Sequence, residues 1–103
     1  MPGSVLIVDD DAGFRGLVVR MVTATGLAVA GEAANGAAAI AAARSLRPDA
    51  ALVDVGLPDR DGIELAYEIA ALPWAPRVVI ISSDVDAAGL DRDVPADRRL
   101  PFV

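Results

Sequence analysis

The sequence predicts an α/β fold in which a parallel β-sheet carries helices on both of its faces. Short apolar runs rich in β-branched residues recur along the chain, as expected of strands that are buried on both faces. Segments with helical periodicity separate these runs, and strands joined in this way imply right-handed crossovers and a parallel sheet. Three of the runs end at acidic or hydroxyl residues, and the carboxyl ends of such strands are where ligands bind.

The first part of the chain is predicted to form a strand, a helix and a second strand. The strand covers residues 4–9, the helix 12–25 and the second strand 27–32. Gly26 suits the left-handed position just past the helix. Apolar residues at helical spacing predict a stripe that faces the core, formed by Phe14, Leu17, Val18, Met21 and Val22.

The elements that follow continue the alternation. Asn35 can cap a second helix, whose alanine run 37–43 has the highest intrinsic helix propensity. A strand over 50–54, a helix over 63–72 and a strand over 77–82 come next. Beyond residue 83 the signal is weak, with a short helix near 85–92 and the start of a fifth strand near 100–103. The predicted class is the doubly wound, flavodoxin-like fold.

Composition limits the classes of function. A chain of 103 residues is predicted to be one domain, and 54% hydrophobic residues can form a core. The net charge of −6 argues against a nucleic-acid-binding surface. All nine basic residues are arginine, and the absence of histidine and cysteine removes imidazole bases, thiol nucleophiles and the usual zinc ligands. No apolar run reaches the ~20 residues of a membrane span, so we expect a cytoplasmic protein without membrane contact.

Acidic residues mark the predicted site. Asp9 and Asp10 end the first strand, and Asp54 ends the third. Neighbouring carboxylates repel one another, and a divalent cation such as Mg²⁺, which takes oxygen ligands, would resolve the conflict. Asp11 precedes the first helix and is interpreted as its cap, whereas Asp59, like Asp61, is interpreted as a solvated turn acid.

The chain resembles the receiver domains of two-component response regulators. The resemblance lies in the pair Asp9-Asp10, in the block from Asp54 through Pro58 to Gly62, and in the strand that ends at Ser82-Ser83. It extends over essentially the whole chain, so residues 1–103 are expected to be one receiver domain. The first two motifs together are fairly specific, whereas either alone would be weak.

The resemblance implies the roles of individual residues. Asp54 would accept a phosphoryl group from a phosphohistidine of a sensor histidine kinase. Mg²⁺ would be bound by the carboxylates of Asp10 and Asp54 and by the backbone carbonyl of Gly56, with Asp9 acting through water. Two further residues would form the switch, namely a hydroxyl that bonds the phosphoryl group, Ser82 with Ser83 as the alternative, and the aromatic Phe102.

The chain departs from the family pattern at its end. The family's lysine would fall just past Val103, and the last helix of the five-fold βα pattern is absent, so the domain is expected to be C-terminally incomplete, by truncation of a longer regulator. We expect weaker phosphoryl retention, and marginal stability or a homodimer through residues 84–103. An output in transcription would need a DNA-binding domain that this chain lacks.

Two other functions are considered. A degenerate receiver would bind partner proteins without being phosphorylated, as the missing lysine would favour. A haloacid-dehalogenase-like phosphatase would use Asp9 as its nucleophile in the pattern Asp9-x-Asp11, but Gly13 occupies a position that is usually Thr or Val in that class. We therefore expect a signalling domain rather than an enzyme.

Overall fold

The computed structural model describes residues 3–81, which form four strands and three helices. The strands are β1 (Ser4–Val8), β2 (Ala28–Ala33), β3 (Ala50–Asp54) and β4 (Arg77–Ile81). The helices are α1 (Ala12–Ala24), α2 (Gly36–Leu46) and α3 (Gly62–Ala70). The described elements follow the predicted order, and those with predicted bounds lie within two residues of them. α2 starts directly after its predicted cap, Asn35, and extends three residues past the alanine run 37–43.

All four strands are parallel and lie in the order β2-β1-β3-β4. The chain therefore moves outward from β1 to β2, crosses back past β1, and then adds β3 and β4 on the other side. β1 and β3 are the central neighbours, with Val8 opposite Val53. The α/β flavodoxin-like class predicted from the sequence is confirmed.

The sheet separates two apolar cores. Alternate residues of β1 point to opposite faces, so Val5 and Ile7 pack on α1 while Leu6 and Val8 pack on α2 and α3. The face under α2 and α3 contains small alanines from α2 and larger side chains from α3. These two layers hold the strand ends in place from both sides.

The predicted core stripe of α1 is only partly correct. Val18 and Val22 are buried, but Leu17 and Met21 are 43% and 60% exposed. The buried line of α1 is centred on Val18 and Val22, which places Leu17 and Met21 on its flank. Gly26 follows α1 with a φ of +91°, in agreement with its prediction.

A tryptophan lies at the end of the sheet where β3 and β4 begin. Trp74 donates a hydrogen bond from Nε1 to the carbonyl oxygen of Pro48, over 2.9 Å. The Arg47 guanidinium lies 4.5 Å from the ring centroid, within the range of a cation–π contact. This cluster fixes the chain segments that precede β3 and β4. Among residues 3–81, no helix has the length and apolar character that crossing a bilayer requires.

Candidate metal centre

Three carboxylates meet where β1 and β3 end. Asp9 and Asp10 directly follow β1, and Asp54 is the last residue of β3. Because the two strands are parallel neighbours in register, their last residues lie side by side. One carboxylate oxygen from each aspartate lies within 4.8 Å of the other two. The sequence-predicted acids are thus together, although their roles stay predictions.

Two of the three acids are almost completely buried. Asp9 is 1% exposed and Asp54 is 5% exposed, whereas Asp10 lies at the surface. The Asp9 Oδ1 atom accepts a hydrogen bond from the Asp11 N–H over 2.9 Å. Its Oδ2 atom is buried and accepts no hydrogen bond from any residue between 3 and 81. A buried carboxylate oxygen without a partner is costly unless a proton or a cation occupies it.

Burial raises the pKa of the Asp9 carboxyl above its ordinary value, and the charges of Asp54, Asp10 and Asp11 raise it further. Burial likewise raises the pKa of Asp54, and the charge of Asp10 adds to this effect. The backbone N–H groups of Gly56 and Val55 oppose the shift at Asp54 by hydrogen-bonding its carboxylate. A bound cation would favour the ionised forms instead, because opposite charges stabilise each other at this range.

The donor set fits Mg²⁺. Carboxylate oxygens are the hard ligands that this ion takes, usually one or two of them with water or phosphate oxygens completing the shell. The exposed position of Asp10 leaves one side of the cluster open to solvent. Gly56 lies beside the cluster, since a Cβ atom there would be 3.8 Å from Asp54 Oδ2. Asp9 Oδ2, which is buried and accepts no hydrogen bond from residues 3–81, is the strongest single indication that the cluster suits a cation.

The loop from Val55 to Asp61 returns sharply from β3 into α3. The Gly62 N–H donates a hydrogen bond to the Val55 carbonyl oxygen over 3.3 Å. A Cβ atom on Gly62 would collide with the carbonyl oxygen of Asp54 and with Val55 Cα. The chain can therefore pass directly behind Asp54 only with glycine at this position.

The remaining acids near the site cap helices. Asp11 caps α1, as predicted, by accepting from the N–H groups of Gly13 and Phe14 over 2.9 and 3.2 Å. Asp59 and Asp61 are exposed, as the turn interpretation requires, but each also accepts backbone N–H groups. Asp61 caps α3, which its place before the helix could have indicated. The contact of Asp59 is with α2 and has no signal in the local sequence.

Arg15 is a contact of the site that the sequence analysis did not identify. Its Nη1 atom donates to the carbonyl oxygen of Asp9 over 2.7 Å. Its Nε atom lies 3.0 Å from Glu32 Oε1. Arg15 thus joins the end of β1 to the end of β2 and fixes the backbone that carries Asp9. Its position on α1, one turn after the cap, was the only available signal.

The predicted switch residues Ser82 and Phe102, like the alternative Ser83 and the dimerisation segment 84–103, lie outside the described residues. The weakly predicted helix and fifth strand lie there too.

Comparison with known proteins gives consistent matches. The sequence model of the family described as "Response regulator receiver domain" matches residues 5–93. A protein-glutamate methylesterase/protein-glutamine glutaminase of Anaeromyxobacter dehalogenans is 43% identical over 89 residues, covering 85% of this chain and 26% of the relative. The transcriptional regulatory protein PdtaR of Mycobacterium tuberculosis is 38% identical over 97 residues, covering 93% of this chain and 47% of the relative. The chain thus spans less than half the length of either protein.

Solved structures agree. The crystal structure of a CheX–CheY–BeF3–Mg²⁺ complex from Borrelia burgdorferi matches with a TM-score of 0.74 and 28% identity. The match covers 82% of this chain and 64% of the solved one. The likeness therefore extends over most of the chain.

Proposed function

The chain belongs to the response regulator receiver domain family, and from this premise we propose that it accepts a phosphoryl group on Asp54 with the help of Mg²⁺. The donor is a phosphohistidine of a sensor histidine kinase. One observation carries the proposal. Asp54 is buried at the end of β3, with Asp9 and Asp10 within 4.8 Å and a carboxylate oxygen of Asp9 without a partner.

The residues of the site divide the work. The backbone N–H groups of Gly56 and Val55 favour the ionised form of the Asp54 carboxylate. One Oδ atom of Asp54 forms the bond to phosphorus while the bond from phosphorus to the imidazole nitrogen breaks, and that electron pair stays on the nitrogen. The carboxylates of Asp10 and Asp54 would hold the cation, together with the backbone carbonyl of Gly56. Asp9 would contact the cation through a water molecule.

Charge governs this reaction. The transition state of phosphoryl transfer is loose, so positioning and neutralisation of charge contribute more than covalent assistance. When bound, Mg²⁺ supplies that neutralisation for a carboxylate attacking an anionic group. Burial, together with the crowded negative charge, raises the pKa values of Asp9 and Asp54, and a cation would offset both effects. Ser82 is proposed to hydrogen-bond a phosphoryl oxygen, with Phe102 as the switch aromatic.

The wider biology is part of the same proposal. We place the protein in the cytoplasm, where a kinase can reach it, and keep self-association through residues 84–103 as a proposed partner contact. The two curated relatives carry different outputs in their names, a methylesterase and a transcriptional regulator. The family match supports a signalling role and gives no support to the phosphatase hypothesis.

Phosphorylation by a small donor tests the proposal without the cognate kinase. The protein is incubated with Mg²⁺ and acetyl phosphate, and the modified residue is identified by mass spectrometry. We expect one phosphoryl group on the wild type and none on Asp54→Asn. Asp11→Asn is the matched control, because it changes a neighbouring aspartate that only caps a helix, and it should be phosphorylated like the wild type.

Two results would contradict the proposal. If the Asp54→Asn variant were phosphorylated at Asp9, Asp9 would be the nucleophile, as the phosphatase hypothesis requires. A wild type that neither accepts phosphate nor responds to beryllofluoride in its NMR spectrum would support the phosphorylation-independent interaction module.

A further inference from the structure

The loop that follows the proposed phosphoacceptor is attached to a helix far from it in sequence. Asp59 Oδ1 accepts a hydrogen bond from the Gly36 N–H over 2.7 Å. Asp59 Oδ2 accepts a second from the Ala37 N–H over 3.1 Å. Both oxygens of one exposed carboxylate are thus engaged by the first turn of α2. Negative charge is favourable at this end of a helix.

The α2 terminus is divided between two caps. The first N–H groups of a helix have no partner within it and need one elsewhere. Asn35, the residue before α2, satisfies the Ala38 N–H with its side chain over 2.8 Å. Asp59 takes the Gly36 and Ala37 N–H groups. By contrast, among residues 3–81 the side-chain hydrogen bonds to the first turns of α1 and α3 come only from the residue that precedes each helix.

The neighbour of Asp59 shows that this contact is closely packed. A Cβ atom on Gly36 would overlap Cγ and Cδ of Arg60, so the loop lies flush against α2. The Arg60 guanidinium then reaches α3, where its Nη1 atom lies 2.8 Å from Glu68 Oε2. The loop is therefore held between two helices at Asp59 and Arg60.

The remaining anchors lie at the ends of the loop and at one apolar side chain. Gly62 and Val55 close its base through their hydrogen bond, and Leu57 packs on the core beneath α2 and α3. Apart from the ion pair of Arg60 with Glu68, the hydrogen bonds from the middle of the loop to another element are, among the described residues, those of Asp59. Gly56 lies in the loop between Val55 and Asp59, and the contacts of these two residues fix its position.

We propose that Asp59 is a positioning residue, which fixes the loop on α2 and so holds the Gly56 backbone ready to bind the cation beside Asp54. The inference rests on the proposed function, because the cation site belongs to it. Its physical basis is preorganisation. A loop that is already ordered loses less conformational freedom when it binds an ion. The N–H groups of α2 also lower the pKa of Asp59, so the anchor is ionised at neutral pH.

Asp59→Ala, with two matched controls, tests the proposal. Asn35→Ala removes the other cap of α2 without touching the loop, and so controls for helix stability. Asp61→Asn removes one charge from the same loop but keeps a capping residue, and so controls for electrostatic attraction of the ion. The Mg²⁺ dissociation constant of each protein is measured by NMR titration. Amide hydrogen exchange at Val55 and Gly56 is measured in the metal-free proteins.

We expect Asp59→Ala to bind Mg²⁺ about tenfold more weakly, the scale reported for residues that support metal ligands. Exchange at Val55 and Gly56 should become faster in the same variant. Both controls should retain the wild-type affinity and exchange. Asp59→Asn should recover part of the affinity, because its carbonyl oxygen can still accept the Gly36 N–H.

The failures are distinguishable. If Asp59→Ala and Asn35→Ala weaken Mg²⁺ binding equally, or if Asp61→Asn weakens it as much, Asp59 has no specific positioning role and the inference is overturned alone. An unchanged affinity and exchange in Asp59→Ala overturns it as well. A wild type that binds no Mg²⁺ overturns the proposed function, and the inference with it.

Discussion

Two sets of aspartates lie near the same edge of the sheet and differ in what their oxygens contact. The convergent aspartates are Asp9, Asp10 and Asp54. The capping aspartates are Asp11, Asp59 and Asp61. The capping aspartates accept hydrogen bonds from backbone N–H groups of helices. The convergent aspartates lie against one another, and among residues 3–81 one buried oxygen of this set has no hydrogen-bond partner. Residue type does not separate the two sets, but the identity of their partners does.

The pKa values of Asp9 and Asp54 are shifted in the opposite direction from the pKa of Asp59. Burial and like charge raise the pKa values of Asp9 and Asp54. The N–H groups at the start of α2 lower the pKa of Asp59. Burial and like charge thus disfavour the ionised forms of Asp9 and Asp54, whereas backbone N–H groups favour the ionised form of Asp59. The proposed site lies close to caps that stabilise the fold.

The largest effect should come from the backbone behind the convergent set. Gly62→Ala places a Cβ atom against the Asp54 carbonyl and Val55, and should lower the free energy of unfolding by about 3 kcal/mol. Urea denaturation followed by circular dichroism measures it. Gly16→Ala is the control, because a Cβ there meets nothing within 4 Å. It should stabilise α1 by about 0.5–1 kcal/mol. Equal effects of the two variants would show that the loop does not press on Asp54.

Removing a convergent charge should stabilise the metal-free protein. Asp9→Asn keeps an acceptor for the Asp11 N–H and removes a buried anion, so we expect a gain of about 1–2 kcal/mol in the free energy of unfolding. Stabilisation by added Mg²⁺ should be lost at the same time. The matched change Asp11→Asn, on a capping residue, should alter neither quantity. A destabilised Asp9→Asn that still responds to Mg²⁺ would break the distinction between the two sets.

The contributions of Asp9 and Asp54 to stability should depend on pH with the opposite sign to that of Asp59. Because the folded pKa values of Asp9 and Asp54 lie above the ordinary value of 3.8, these two groups bind more protons in the folded protein than in the unfolded chain. Stability from this source is greatest below 3.8 and is lost as pH rises through the folded values. The lowered pKa of Asp59 has the reverse effect, which is lost as pH falls below 3.8.

Thermal unfolding across the acid range, with EDTA or with saturating Mg²⁺, measures this dependence. Metal-free protein should become more stable as pH falls from 7 toward the raised values, and Mg²⁺ should reduce or reverse the trend because it binds the ionised carboxylates. The same pH dependence with and without Mg²⁺ would mean that the convergent acids do not bind it.

The smallest effect belongs to a single cap. Asp11→Ala leaves the Gly13 and Phe14 N–H groups to water and should cost about 1 kcal/mol in urea denaturation. The Mg²⁺ affinity should not change. Since Asn caps as well as Asp, Asp11→Asn restores the stability if capping is the role of this residue. A loss of Mg²⁺ binding in Asp11→Ala would move Asp11 into the convergent set.

Much of the fold could be predicted from local patterns. Short β-branched runs between helical segments determine parallel strands, and the asparagine before α2 marks its start at the observed place. The spacing of apolar residues in α1 could not show how many of them other elements would bury. Leu17 and Met21 have the right spacing for burial, but coverage depends on which elements meet α1 in three dimensions.

The contacts of the site also differ in how far they could be predicted from the sequence. Convergence of Asp9 and Asp54 follows from topology, since neighbouring parallel strands bring their ends together. The contact between Asp59 and Gly36 does not, because it joins residues that are 23 apart in sequence across two loops. Its geometry depends on how α2 and the loop pack, and no periodicity encodes that. The contact of Arg15 with the Asp9 carbonyl could not be predicted either, because a backbone carbonyl has no signature in the sequence.

The indole of Trp74 gives the chain a built-in optical reporter. It is the single tryptophan of the sequence, and it lies where β3 begins. The five residues of β3 place it roughly 16 Å from the end at Asp54. The indole contacts the Pro48 carbonyl oxygen and the Arg47 guanidinium. Both contacts are lost on unfolding, so we expect the emission of Trp74 to change. Fluorescence can therefore follow denaturation while remaining insensitive to ions bound at the far end of the sheet.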